Sequence, residues 1–125
     1  MDLNNDTAYA TLNVFDNFVQ RVPMLEVFTS STCPPCVQGN INLKNVLSNY
    51  SQTDYTLIKY QMSWPGSGDP YYTQEAGDRR TFYGVNSVPR LEIDGGWDGN
   101  PSGFTTQEFD ESAGIPSFST ISANY

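Results

Sequence analysis

The chain has no histidine and only two cysteines in 125 residues. Structural zinc centres draw four ligands from cysteine and histidine, so the ligand count argues against zinc. Cations are also scarce. Six Lys and Arg face fourteen Asp and Glu, for a net charge of -8 and a pI near 4.1. A nucleic-acid partner needs a basic face and a polybasic membrane anchor needs clustered cations, so both are disfavoured. No apolar run approaches the ~20 residues that span a bilayer, and the chain has no internal repeat or low-complexity tract. Met1 to Asp6 lacks the basic-then-apolar pattern of a secretory signal. With few charges, the surface must draw on neutral Asn, Ser, Thr and Tyr, as in many exported proteins. The length suits one domain with one core, which buries roughly two thirds of the unfolded chain's surface.

The two cysteines are Cys33 and Cys36, in the run Thr32-Cys33-Pro34-Pro35-Cys36. Before them Met24 to Thr29 carries little charge and reads as a buried strand. After them Val37 to Tyr50 reads as a helix, with Val37, Ile41, Leu47 and Tyr50, and Val46 beside them, as its apolar stripe. Gln38, Asn42, Lys44 and Asn45 are assigned to its outer face. A cysteine where a strand meets a helix sits beside unpaired N–H groups and the positive end of the helix dipole. There the thiolate, the form that attacks disulfides, is stabilised. The blander reading is a disulfide staple. A loop this short removes little unfolded-state entropy, because the gain grows with loop length.

Residues 1–23 read as an extension, with a candidate first strand at Thr11 to Phe15. Tyr55 to Met62 reads as the next strand, followed by a turn-rich loop from Ser63 to Gly68. Asp69-Pro70 has the form of an N-cap with proline at the first helical position. That helix is expected to break at Gly77 and resume through Arg79, Arg80 and Tyr83, with the two arginines solvated. Val88-Pro89 then leads into a strand at Arg90 to Ile93 and a tight Asp94-Gly95 turn. Thr105-Thr106-Gln107-Glu108 matches a capping box, and its helix offers Phe109 and Ala113 as apolar contacts. Residues 114–125 form a tail, in which Ile115 to Ile121 reads as β-rich and as the start of a following segment.

The order of strand, C-P-P-C, helix, strand, crossover, helix, Val-Pro, strand and hairpin resembles the thioredoxin fold over about residues 24 to 100. Two separated motifs carry the likeness: Cys33-Pro34-Pro35-Cys36 after an apolar strand, and Gly84-Val85-Asn86-Ser87-Val88-Pro89 before another. The wording of Leu25 to Thr29, Gly68 to Tyr72 and Tyr83 to Pro89 is similar to envelope-associated thioredoxin-like proteins of Gram-negative bacteria. The resemblance implies an α/β domain over residues 24–113, with a central mixed β-sheet flanked by helices. It implies Cys33 as the attacking cysteine, Cys36 as the resolving one, and Pro89 as a cis proline facing the disulfide. Val88 would pair its backbone with substrate as an added strand, and Pro34, Pro35 and Val88 would border the substrate. Trp64 or Tyr71 could add an apolar contact. The resemblance implies no metal or organic cofactor, and as partners protein or peptide thiols and disulfides with a redox partner protein. It places the chain outside the cytoplasm, in the periplasm or cell envelope, with a signal already removed.

Three departures stand out. The family's buried acid falls six residues before the first cysteine, where this chain has Val27. Glu26 is one position away and would point to the other face of a regular strand. The helix after the motif lacks a kinking proline, and the terminal helix is short.

The expected activity is thiol–disulfide exchange, with a mixed disulfide at Cys33. Pro34 and Pro35 have no N–H and no histidine supplies a positive neighbour. The Cys33 pKa is therefore expected to be only modestly depressed, as in a reductant or isomerase rather than a primary oxidant. A peroxidase is a weaker reading, because Glu26 stands where such enzymes place a proline. The class-different alternative is a non-catalytic module that docks partners and carries an inert disulfide. Cys33 is expected to be partly exposed, with Cys36 buried behind it.

Overall fold

A computed structural model describes residues 18–122 and 124. The candidate strand at Thr11 to Phe15 lies outside the described residues. Four strands form one sheet in the order β2-β1-β3-β4. Strand β1 spans Met24–Thr29, β2 Thr56–Gln61, β3 Arg90–Ile93 and β4 Trp97–Gly99. Pairing of β1 with β2 is parallel, and that of β1 with β3 and of β3 with β4 is antiparallel. Helix α1 spans Pro34–Leu47, α2 Gln74–Tyr83 and α3 Thr106–Ala113, with a 3₁₀ turn at Pro101–Gly103. This mixed sheet flanked by helices is consistent with a thioredoxin-like fold.

Strand β1 is central, so both its faces are covered and its side chains from Leu25 onward are buried. Leu25 and Val27 pack with Leu43, Val46 and Leu47 of α1, Leu91 and Ile93 of β3, and Phe104 and Phe109. Phe28 faces the other way, into a smaller cluster with Met62, Ala76 and Val85, flanked by Tyr60, Trp64 and Tyr83.

The parallel β1–β2 register runs unbroken from Met24↔Thr56 to Thr29↔Gln61. Without a bulge, Glu26 stays on the face opposite Leu25 and Val27. Only 1% of Glu26 is exposed. Its carboxylate accepts from Arg79 Nε at 2.6 Å, Arg79 Nη2 at 2.7 Å, Tyr83 Oη at 2.6 Å and Tyr60 Oη at 2.8 Å. Burial alone would raise the Glu26 pKa. The bonds from Arg79, Tyr83 and Tyr60, and the charge of Arg79, outweigh it and hold the carboxyl below its ordinary value. The expectation that Arg79 and Arg80 are solvated is thus corrected: Arg79 pairs with Glu26, and Arg80 Nε donates to the Val85 carbonyl at 2.6 Å.

Helix α1 begins at Pro34, three residues before the expected start, and its buried face differs from the expected stripe. Cys36, Gly39, Leu43, Val46 and Leu47 face inward, while Val37 is 62% and Ile41 47% exposed. The disulfide decides this. Cys36 must face inward, and the 3.6-residue period then carries Gly39 and Leu43 with it and turns Val37 out. Asn42, assigned to the outer face, donates from Nδ2 to the Pro101 and Phe104 carbonyls at 2.8 Å each. It thereby ties the 3₁₀ turn to α1.

Helix α2 starts later than expected, with Thr73 as N-cap, and runs unbroken through Gly77. The Tyr72 hydroxyl occupies the place a Gly77 Cβ would need, so that glycine admits a packed tyrosine instead of ending the helix. The Asp94-Gly95 turn has φ of 53° and 67°, the left-handed pair such a turn requires. The capping box forms, with the Thr105 N–H donating to Glu108 Oε2 at 2.8 Å. The tail differs from expectation. Among the described residues of 114–125 there is one isolated bridge, Val19 to Ser117, and no strand. Polar Ser117, Ser119 and Thr120 alternate too weakly there to bury one face.

Candidate functional site

Cys33 is the N-cap of α1, with extended backbone (φ −112°, ψ 101°), and Pro34 and Pro35 open the helix. Proline suits these positions because the first helical N–H groups have no intrahelical acceptor. Cys33 and Cys36 are joined in a disulfide with Cα atoms 5.3 Å apart. No acidic residue occupies the first turn of the helix, so no side-chain anion opposes the dipole there.

Across from the motif, the Val88–Pro89 peptide is cis. The Val88 carbonyl oxygen lies 3.6 Å from Cys33 Sγ. In the disulfide this is a contact only, since Cys33 has no proton to donate. In the reduced protein the thiol can donate to that oxygen. Gly39, one turn beyond Cys36, explains how α1 comes so close. A Cβ there would stand 3.0 Å from Pro89 Cγ and 2.9 Å from Pro101 Cγ. Both are atoms of stiff rings, so only glycine fits without displacing Pro89.

The strand-to-helix loop is tied down from the other side. The Ser31 N–H donates to Asp69 Oδ2 at 2.8 Å, and the Tyr71 N–H to Asp69 Oδ1 at 2.9 Å. The bonds from Tyr71 and Ser31 hold the Asp69 carboxyl below its ordinary pKa. The Thr32 hydroxyl donates to the Pro65 carbonyl at 2.6 Å. Asp69 was expected to cap a helix. It instead closes a turn and binds the loop that carries Cys33, because the backbone after Tyr71 does not turn helical until Gln74.

Of the residues singled out from sequence, Cys33, Cys36 and Val88 come together, and Pro89 packs on α1 beside them. Pro34 and Pro35 are exposed at the same loop. The expected exposure of Cys33 is corrected: each cysteine is only 2% exposed, with Cys33 Sγ turned toward Val88. Trp64 is half-buried beside the Phe28 cluster, with the Arg80 guanidinium 5.0 Å above its ring. Tyr71 is 81% exposed. Sequence reading missed Thr32 and the pairing of Asp69. The Asp-Pro signal announced a turn, but nothing local named the turn's partner.

No protein-family model matches the chain, and no curated protein matches it. Solved structures do. The chain aligns with the crystal structure of a protein from Agrobacterium tumefaciens at a TM-score of 0.57 and 18% identity. The alignment covers 75% of this chain and 45% of that one. At this identity the fold is what the two have in common. The chain spans less than half the length of that neighbour. What the site holds on its own evidence is a disulfide able to serve either redox chemistry or structure.

Proposed function

We propose that the chain is a thiol–disulfide oxidoreductase that exchanges disulfides with protein or peptide substrates through Cys33 and Cys36. The observation that carries this reading is the Val88 carbonyl 3.6 Å from Cys33 Sγ, at the start of α1. A backbone acceptor beside the first cysteine can receive an N–H from an extended substrate, and so align a substrate sulfur with Cys33. Cys33 is the attacking cysteine and Cys36 the resolving one. Val88, Pro89, Pro34 and Pro35 border the substrate. The likeness to envelope-associated proteins favours work outside the cytoplasm with a redox partner protein.

The same contact bears on the direction of electron flow. A carbonyl oxygen accepts from a thiol but repels a thiolate, so it opposes the helix dipole's effect on Cys33. A less stabilised thiolate means a less oxidising couple, which favours a reductant or isomerase. Burial of both sulfurs favours the second reading, a docking module with a structural disulfide. Reduction of a disulfide-linked peptide, with dithiothreitol as electron source, separates the two. The oxidoreductase turns over and loses all activity in Cys33→Ser. The docking module shows no turnover, and its bridge resists reduction.

A further inference from the structure

Among the described residues, strand β2 lies at the edge of the sheet and pairs only with β1. The Thr56 and Met62 N–H groups donate toward β1, to the Pro23 and Thr29 carbonyls at 2.9 and 2.8 Å. With a period of two along the strand, the backbone groups of Leu57, Lys59 and Gln61 face outward, where another strand can add. Leu57 and Lys59 stand in register with Leu25 and Val27, on the face that α1 covers. Between that face and α1 runs an open groove of about 660 Å³. Val37, Ile41 and Lys44 of α1 line it, with Tyr55, Leu57 and Lys59 among others. Val37 and Ile41, one turn apart, are the exposed apolar side chains that the inward turn of Cys36 leaves on this side. The groove also reaches the disulfide region, since Val37, Asn40 and Lys59 border a recess beside Cys36 as well.

Charge in the groove has one sign. Of the six Lys and Arg, Arg21, Arg79 and Arg90 each have a carboxylate in salt-bridge range. Arg80 is held by the Val85 carbonyl and the Trp64 ring. The remaining two, Lys44 and Lys59, are exposed and have no carboxylate in that range among the described residues. Both line this groove, and no Asp or Glu among the described residues does. On a chain of net charge -8, an apolar floor beneath two cations selects a ligand that is both apolar and acidic.

We infer that the groove docks an extended segment of a partner protein, which carries apolar and acidic side chains and adds to the free edge of β2. Main-chain bonds to Leu57, Lys59 and Gln61 supply affinity, and the side chains that face α1 supply specificity. Apolar ones meet Ile41, Tyr55 and Leu57, and carboxylates meet Lys44 and Lys59. A second copy of this chain fits poorly. Adding β2 to β2 would bring Lys59 toward Lys59, and like charges on adjoining strands destabilise pairing. Val88 precedes β3, on the opposite side of β1 from β2, so a segment in the groove leaves the Val88 carbonyl free. The inference concerns binding alone and stands whether the disulfide is redox-active or structural.

The probe is the capped hexapeptide acetyl-Val-Glu-Val-Val-Glu-Val-amide, which as a strand shows two valines and one glutamate on either face. A counterpart carries lysine in place of both glutamates. Each is titrated into the full, oxidised chain and followed by the backbone amide signals in nitrogen–proton NMR spectra. The glutamate peptide is expected to shift Leu57, Lys59 and Gln61, and to bind more weakly as salt rises. The lysine peptide should bind about three- to tenfold more weakly. Lys44→Glu combined with Lys59→Glu should reverse that preference, and Ile41→Ser should weaken both peptides. All three positions are exposed, and native signals from β1 and β3 show that each variant is folded. Equal binding of the two peptides would overturn the inference, as would the lack of a shift at these three amides or a preference that survives the charge reversal. Slow hydrogen exchange at the same amides in the peptide-free chain would overturn it too, because residues 1–17 or a second copy would then already pair with β2.

Discussion

Replacing Arg79 with methionine tests the buried network around Glu26. The substitution keeps most of the side-chain volume but leaves a carboxylate that is 1% exposed without its cation. Breaking a buried ion pair by removing one partner costs roughly 3–5 kcal/mol. Two features pull the value down here: the Arg79 side chain is 33% exposed, and the Tyr60 and Tyr83 hydroxyls continue to donate. Arg79→Met should therefore cost about 3 kcal/mol at pH 7, or about 10 °C in Tm for a domain of this size. The pH dependence gives the sharper test. In the native protein the Glu26 pKa is lowered on folding. Its stabilising contribution is present above the unfolded value and lost as pH falls through the folded one. In the variant burial dominates, the folded pKa rises above the unfolded one, and stability falls as pH rises. The gap between the two proteins should widen from pH 4 to pH 7 in urea unfolding curves. A gap that is constant with pH, or below about 1 kcal/mol at pH 7, would refute the account of Glu26 as a paired buried anion.

Gly39→Ala gains about 1 kcal/mol of helix propensity but drives a methyl into the rings of Pro89 and Pro101, which costs about 1–3 kcal/mol. A net loss in urea unfolding, together with slower reduction of a disulfide peptide, is expected; a stabilised variant of native activity would show that Pro89 is free to shift. Glu92 is buried and lies in register with Glu26 and Asp98. Burial first, then Asp98, pushes its pKa up to about 7. A raised folded pKa means stability present below the unfolded value and lost as pH rises toward 7. Glu92→Gln should accordingly flatten the stability profile between pH 5 and 8 (roughly, the window in which a carboxyl with a pKa near 7 titrates), and a slope unchanged from native would count against it. The Cys33 thiol should titrate within about two units of the free cysteine value, because the Val88 carbonyl opposes the dipole; a pKa around 4 would mean a donor at Sγ that the geometry lacks.

What the sequence determined by itself are the features that rest on neighbours a few residues away. That a helix follows the cysteine-proline run was legible, although its first turn starts at Pro34, where proline's missing N–H and fixed φ suit it, and not at Val37. Strand β3 at Arg90–Ile93 follows from the proline before it and the Asp94-Gly95 turn after it. The α3 cap follows from Thr105 and Glu108, three positions apart. In each case the partners lie within one turn or one hairpin, so residue type and spacing suffice. Tertiary structure decided the rest. Glu26 reads as a stray acid on a strand until Tyr60, Arg79 and Tyr83 arrive from β2 and α2. The inward face of α1 was set by the Cys33–Cys36 disulfide, and the close approach it brings was admitted by Gly39 against the rings of Pro89 and Pro101. Asp69 reads as a helix N-cap until the fold brings it to the loop that carries Cys33. A polar or small residue has no fixed role along the chain. Its role is set by which groups burial leaves within reach of it, and those groups come from segments far away in sequence.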